Sequence, residues 1–213
     1  MGWLLLCVVV TLIFLFIIIM VRTKKQQTRI RDKRTEPASV LIVVGSGGHT
    51  SEILKLVKVL GDHYSPRYYV VADTDTISEH KVREVEKMRE NSGRSSDYKL
   101  FIIPRSREVK QSYWTSVLTT LRALAFSVPL VFKLRPEVIL CNGPGTCIPI
   151  CFAGLLMKWL WIQRTCIVYV ESFCRVTSLS LSGKLLYHFS DSFCVQWPEL
   201  VQKYPKAEYL GRF

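Results

Sequence analysis

Three short segments carry the residue types that could do chemistry. The first, Gly45-Ser46-Gly47-Gly48-His49-Thr50, follows an apolar run and opens a helical pattern. Its glycines let the backbone turn tightly. Such a turn leaves N–H groups open at a helix N-terminus, where a phosphate or diphosphate is held. His49 stands at the same mouth and is able to donate, accept or take up a proton near neutral pH. The second segment, Asn142-Gly143-Pro144-Gly145-Thr146, is another glycine-rich turn before a helical pattern. The third, Pro104-Arg105-Ser106-Arg107, offers two guanidinium groups, whose planar forks suit phosphate oxygens. Glu171, directly after an apolar run, adds a carboxylate. Anion binding and proton transfer are the chemistry these residue types allow.

The elements that must position them are legible from the apolar pattern. Strands are predicted at residues 40–44, 68–72, 99–103, 137–140, 166–170 and 193–196, with a short one at 208–210. Val40-Leu41-Ile42-Val43-Val44 reads as a strand buried on both faces of a parallel sheet. Helices are predicted at 50–60, 77–89, 112–132, 149–161 and 182–189; Ile53, Leu54, Val57 and Leu60 mark the apolar face of the first. Pro129 is expected to interrupt or kink the third, and residues 89–96, RENSGRSS, to form an exposed loop. This alternation predicts an α/β fold, a single Rossmann-like doubly wound parallel sheet with right-handed crossovers. Such sheets bind ligands outside the carboxyl ends of their strands. Gly45–Thr50, Arg105, Arg107, Asn142–Thr146 and Glu171 all follow predicted strands, so all converge on one edge.

Each feature also has a plain structural reading. The first turn could be a dinucleotide fingerprint or a simple connection. A fingerprint needs G-x-G-x-x-G, but Thr50 holds the third glycine position and Asp73 lies somewhat beyond the expected spacing. No Lys-Ser/Thr pair follows the turn, which excludes a P-loop. His49 could be a hydrogen-bonding residue at a helix start, Arg105 and Arg107 solvated surface groups, and Glu171 half of a salt bridge. Seven cysteines lack CxxC spacing. Cys141, Cys166 and Cys194 read as small strand residues, and no metal site is expected at Cys147 and Cys151.

Net charge and hydropathy bound the surroundings. The formal charge of +12 favours acidic partners: anionic lipid, nucleic acid or a phosphorylated substrate. Trp3–Val21 is apolar except for Thr11, and as a helix would measure about 28 Å, close to the hydrocarbon thickness. Arg22, Lys24, Lys25, Arg29, Arg31, Lys33 and Arg34 follow at once. A cleaved signal peptide fits poorly without a basic n-region or a small-residue cleavage pattern. The expectation is a single-pass signal anchor over residues 1–22, a basic linker over 23–38 and a cytosolic body over 39–213. Residues 112–132, and the apolar run at 149–161, are read as helices packed on the sheet. Tyr113, Trp114, Trp159 and Trp161 also fit contact with a membrane interface. A second full span at 154–162 is not expected, because Lys158 interrupts it.

At this point the segments VVGSGGHTSEIL, YVVADTD, IPRSREVKQS, CNGPGTCIPIC, IVYVESFCRV, LSLSGKLLYHFSD, VQWPEL and KYPKAEYLGR together resemble one family. They are similar to the membrane-anchoring subunits of the UDP-N-acetylglucosamine transferase of the dolichol (asparagine-linked glycosylation) pathway. The bacterial lipid-linked peptidoglycan N-acetylglucosamine transferase is similar too, but holds both halves in one chain. The resemblance implies the acceptor-side, N-terminal half of a GT-B glycosyltransferase. It implies a heteromeric N-acetylglucosaminyldiphosphodolichol N-acetylglucosaminyltransferase on the cytosolic face of the endoplasmic reticulum, with the N-terminus lumenal. A soluble donor-binding catalytic subunit would supply UDP-N-acetylglucosamine, so this chain would bind no cofactor of its own. The next mannosyltransferase of the pathway is a further expected partner, and nucleic acid is not. Gly45, Ser46, Gly47, Gly48, Thr50, Asn142, Gly143, Gly145, Thr146, Arg105 and Arg107 would hold the acceptor diphosphate. His49, or else Glu171, would be the base, and Tyr209, Leu210, Gly211, Arg212 and Phe213 would dock the partner. The rival readings are a membrane scaffold without enzymatic role and a membrane-anchored NAD-dependent oxidoreductase.

Overall fold

The computed structural model describes residues 36–107, 111–143 and 145–212. The anticipated anchor and basic stretch, Glu108–Lys110, Pro144 and Phe213 lie outside the described residues. Seven strands form one parallel sheet: β1 (Val40–Val43), β2 (Arg67–Ala72), β3 (Tyr98–Ile103), β4 (Val138–Asn142), β5 (Cys166–Val170), β6 (Ser192–Val195) and β7 (Ala207–Tyr209). Their spatial order is β3-β2-β1-β4-β5-β6-β7. Every neighbouring pair is parallel, with Val40 of β1 opposite Arg67 on one side and Val138 on the other. After β3 the chain returns across the sheet, so β1 and β4 flank a topological switch point, where an open α/β sheet forms its ligand crevice.

The helices between strands are α1 (Gly48–Val59), α2 (Thr76–Asn91), α3 (Tyr113–Leu134), α4 (Cys147–Trp159), α5 (Leu181–Leu186) and α6 (Pro198–Lys203). Strand residues alternate between two cores because successive side chains point to opposite faces. Leu41 and Val43 pack with Val131, Ile150, Cys151 and Met157 from α3 and α4. Val40, Ile42 and Val44 pack with Ile53, Val57, Val82 and Val85 from α1 and α2. Burying each such side chain contributes about 1.5–3 kcal/mol. Cys141, Cys147, Cys151 and Cys194 are buried and Cys166 is partly so. Burial pushes the thiols of Cys141, Cys147 and Cys194 above their ordinary range.

Three expectations change. Pro129 does not interrupt α3, which runs on to Leu134. Pro129 lacks the N–H that would bond the Ala125 carbonyl, and both residues lie on the exposed side of the helix, away from the core. Helix α2 continues to Asn91, so residues 89–91 are helical, not loop. Arg89 is buried, and its Nη1 donates to the carbonyls of Val57 and Leu60 at 2.9 Å each, satisfying the end of α1. The sequence reading also missed α6, a six-residue helix begun by Pro198, a favoured first helical position.

Helix α3 is long and apolar enough, from Trp114 to Leu134, to cross a membrane by length and composition. Ala123, Ser127 and Val131 are its buried stripe. Trp114 (87% exposed), Leu118 (69%), Leu121 and Phe126 form an outward apolar face.

Candidate functional site at the switch point

The turn after β1 is built for an unfilled helix start. Gly47 is the N-cap of α1 with φ 63° and ψ −122°, a conformation that demands glycine. No side chain caps the helix, so its start is left without a side-chain acceptor. A Cβ on Gly47 or Gly48 would meet no atom within 4 Å. Beneath the turn, Thr50 is fully buried and donates its hydroxyl to the Gly45 carbonyl. Ser78 reinforces it, its Oγ lying 3.2 Å from that carbonyl and 2.7 Å from Asp75 Oδ2. Thr50 therefore braces the turn from inside, while Gly45, Ser46 and His49 line the crevice.

The turn after β4 closes on His49. His49 Nδ1 lies 3.1 Å from Asn142 Oδ1. Asn142 is fully buried at the end of β4, and its Nδ2 donates to Glu52 Oε2 at 3.0 Å and the Val170 carbonyl at 3.3 Å. Gly143 has φ 65°, and a Cβ there would sit 2.3 Å from His49 Cε1. Glycine at 143 is thus required twice, by its backbone and by the ring packed over it.

A cavity of about 470 Å³ opens here. Its walls are Gly45, Ser46 and His49 from the first turn, Gly145 and Thr146 from the second, and Arg105, Arg107 and Arg175. The loop bearing Arg105 is fixed by its N–H, which donates to Asp73 Oδ1 at 3.2 Å, and by Thr119 Oγ1, which donates to the Ser106 carbonyl at 2.6 Å. Arg107 is exposed, with Nη2 donating to the Gln111 carbonyl at 3.3 Å. Among the described residues no Asp or Glu lines the cavity. The arrangement suits an anion with several oxygens.

Glu171 occupies the predicted edge but is absent from that lining. It is fully buried, and its carboxylate accepts from the N–H groups of Ser172 at 3.0 Å and Ser180 at 2.9 Å. A Cβ on Gly183 would lie 2.1 Å from Glu171 Oε2, so α5 packs directly on the carboxylate. Burial pushes its pKa above the ordinary glutamate value, against the opposing hydrogen bonds from Ser180 and Ser172. Its place is that of a tie between the end of β5 and α5.

Two residues at or behind the crevice were missed in the sequence. Arg175, in the loop after β5, had no pattern to mark it; Glu52 looked like one more polar position on α1. At the far sheet edge, Tyr209 and Leu210 are about half exposed. The Arg212 guanidinium stacks 4.3 Å from the Trp197 ring centroid, and Trp197 packs on Phe173 at 5.2 Å. The C-terminal residues thus border the loop that carries Arg175.

This sheet, with its crevice at the β1–β4 switch point, has the fold of one half of a GT-B structure. The crystal structure of MurG from Acinetobacter baumannii superposes with a TM-score of 0.58 at 14% identity, over 83% of this chain and 46% of that one. The chain therefore spans about half the length of that structure, whose likeness concerns the fold alone. The sequence goes further. Residues 40–213 match the family model described as "Oligosaccharide biosynthesis protein Alg14 like", and the chain belongs to that family. The rat protein named UDP-N-acetylglucosamine transferase subunit ALG14 is 55% identical over 81% of this chain and 82% of its own length. The human protein of the same name is 54% identical over 83% of each.

Proposed function

We propose that this chain is the acceptor-binding, membrane-anchoring subunit of a UDP-N-acetylglucosamine transferase that extends N-acetylglucosaminyl-diphosphodolichol. The observation that carries this reading is the uncapped start of α1 facing Arg105, Arg107 and Arg175 across one cavity. Backbone N–H groups and guanidinium forks together fit a diphosphate. The relatives' printed name supplies the sugar nucleotide and the word subunit. That word subunit supports a separate partner.

In this reading the acceptor diphosphate lies on Gly45–Gly48 and Gly145–Thr146, with the lipid running toward the exposed face of α3. That face and the apolar Trp3–Val21 would hold the body on the cytosolic side of the endoplasmic reticulum membrane. His49 takes the proton from the acceptor 4-hydroxyl as that oxygen attacks C1 of the donor sugar; the C1–O bond to the diphosphate breaks, UDP leaves, and the α-linked donor becomes a β-linked product. The partner would dock on residues 209–213 beside Trp197.

The test is reconstitution. Membranes bearing this chain receive the donor-binding subunit, UDP-N-acetylglucosamine and the dolichol-linked acceptor. Transfer is expected only with both proteins present. His49→Ala should assemble normally and lose about 10²–10⁴-fold in kcat, the usual worth of a general base. Full activity of His49→Ala would remove the base assignment, and undiminished partner capture by a chain ending at Glu208 would remove the docking assignment.

A further inference from the structure

Glu52 lies one helical turn after His49 on α1 and is only partly exposed. Its carboxylate gathers four donors from three strand ends. Oε2 accepts from Asn142 Nδ2 at 3.0 Å, the Phe173 N–H at 3.1 Å and Gln196 Nε2 at 3.1 Å. Oε1 accepts from Ser172 Oγ at 2.9 Å. An ionised carboxylate has about four acceptor positions and no donor; three of these donors converge on Oε2 and one on Oε1. These donors follow β4, β5 and β6, the strands on the far side of the switch point from β2 and β3.

The consequence falls on Asn142. Its two amide ends differ chemically, and the partners decide which way it faces. Nδ2 points at two acceptors, Glu52 Oε2 and the Val170 carbonyl. Turning the amide over would aim its oxygen at both of them. Oδ1 is therefore the atom toward His49, and it accepts. His49 Nδ1 must then carry a hydrogen, which leaves the lone pair of the neutral ring on Nε2.

We infer that Glu52 is a positioning residue that, through the orientation of Asn142, fixes His49 in the tautomer with a hydrogen on Nδ1 and a free lone pair on Nε2. This deepens the proposed role of His49 as base and rests on that reading for its effect on rate. Glu52 itself is not among the residues that line the cavity. Its contribution is to remove the alternative ring state, in which Nε2 would carry the hydrogen and could not accept one.

The test compares Glu52→Gln with Glu52→Ala. Glutamine places an oxygen where Oε2 stands and turns its amide to the Ser172 hydroxyl, which rotates to accept. It keeps the acceptor for Asn142 and loses the charge. Alanine loses the acceptor, and Glu52→Met, which fills the space without one, is the parallel variant should the alanine chain fail to fold. The full-length protein in detergent is labelled with 15N-histidine, and His49 is assigned among the four histidines by its loss in His49→Ala. The wild type and Glu52→Gln should show a protonated Nδ1 and a bare Nε2. Glu52→Ala or Glu52→Met should show a mixture of tautomers. With the donor-binding partner present, those two variants should lose about 10-fold in kcat with KM within about 3-fold, since roughly one hydrogen bond's worth of orientation is lost. Glu52→Gln should stay within about 3-fold of wild type. An unchanged tautomer in both Glu52→Ala and Glu52→Met overturns the inference. So does equal loss of rate in Glu52→Gln and Glu52→Ala, which would mark the charge and not the acceptor as the contribution. A wild-type rate in His49→Ala would instead overturn the base reading, while the tautomer measurement would still decide the role of Glu52.

Discussion

At the amino end of the strands, Arg67 opens β2 fully buried, with Nε and Nη2 each 2.8 Å from the two oxygens of Glu86. Tyr69 donates its hydroxyl to the same carboxylate, and the remaining guanidinium donors reach the carbonyls of Tyr64 and Ser95. At the carboxyl end, Arg105, Arg107 and Arg175 line an open cavity whose described walls contain no carboxylate. Of the acidic groups nearby, Glu52 is turned onto strand-end donors and Glu171 onto Ser172 and Ser180, while exposed Asp73 holds the Arg105 N–H. One end neutralises its cations within the fold, as a buried charge requires. The other gathers three guanidinium groups around the cavity beside the start of α1. On the proposed function, the first end serves stability and the second binding.

The largest effect should come from breaking the amino end. Arg67→Met leaves Glu86 buried without its ion partner, a loss of roughly 3–5 kcal/mol. Urea unfolding of the full chain in detergent, followed by tryptophan fluorescence, should show that loss. KM for the lipid diphosphate acceptor should stay unchanged in the molecules that remain folded. An altered KM at unchanged stability would reverse the comparison.

Arg175→Ala should do the opposite and somewhat less. Removing a charge-assisted phosphate contact costs about 1.5–3 kcal/mol, hence a rise in acceptor KM of about 10- to 150-fold. The urea midpoint should stay within experimental error. A shifted midpoint with normal KM would make Arg175 a structural residue and leave the anion cradle to the two turns and the other arginines.

The sequence showed the sheet well and the site in outline. Strands such as Val40–Val43 and Cys166–Val170 are apolar on both faces, and only a covered parallel sheet buries such runs. Two glycine turns at strand ends were enough to find the crevice. Direction was harder to read. Thr50 and Glu171 sit at the anticipated edge, yet both point inward, because a strand-end position does not disclose which way its side chain turns. Glu52 was invisible for the same reason: its four donors come from residues 90 to 144 positions away in the chain. Arg89 misled by its surroundings, since the polar run after it reads as loop while its own guanidinium closes the end of α1.

The smallest expected effect is a pH dependence that separates the two ends. Burial alone would raise the Glu86 pKa, but hydrogen bonds from Arg67 and Tyr69 more than offset this and hold it below the ordinary glutamate value of 4.5. Folded Glu86 therefore binds its proton less tightly than unfolded Glu86. Its stabilisation is complete above the ordinary glutamate range and is lost as pH falls through that range toward the depressed folded value. Glu171 has the opposite sign: burial raises its folded pKa, so its ionised form is penalised as pH climbs above 4.5. Between neutrality and the glutamate range, acidification should relieve Glu171 first. Below that range the Glu86 loss should take over. Glu86→Gln should flatten the acid limb of the stability curve, while Glu171→Gln should leave that limb and remove the weaker rise above it. Identical acid limbs in wild type and Glu86→Gln would show that the amino-end network does not carry the acid sensitivity of the fold.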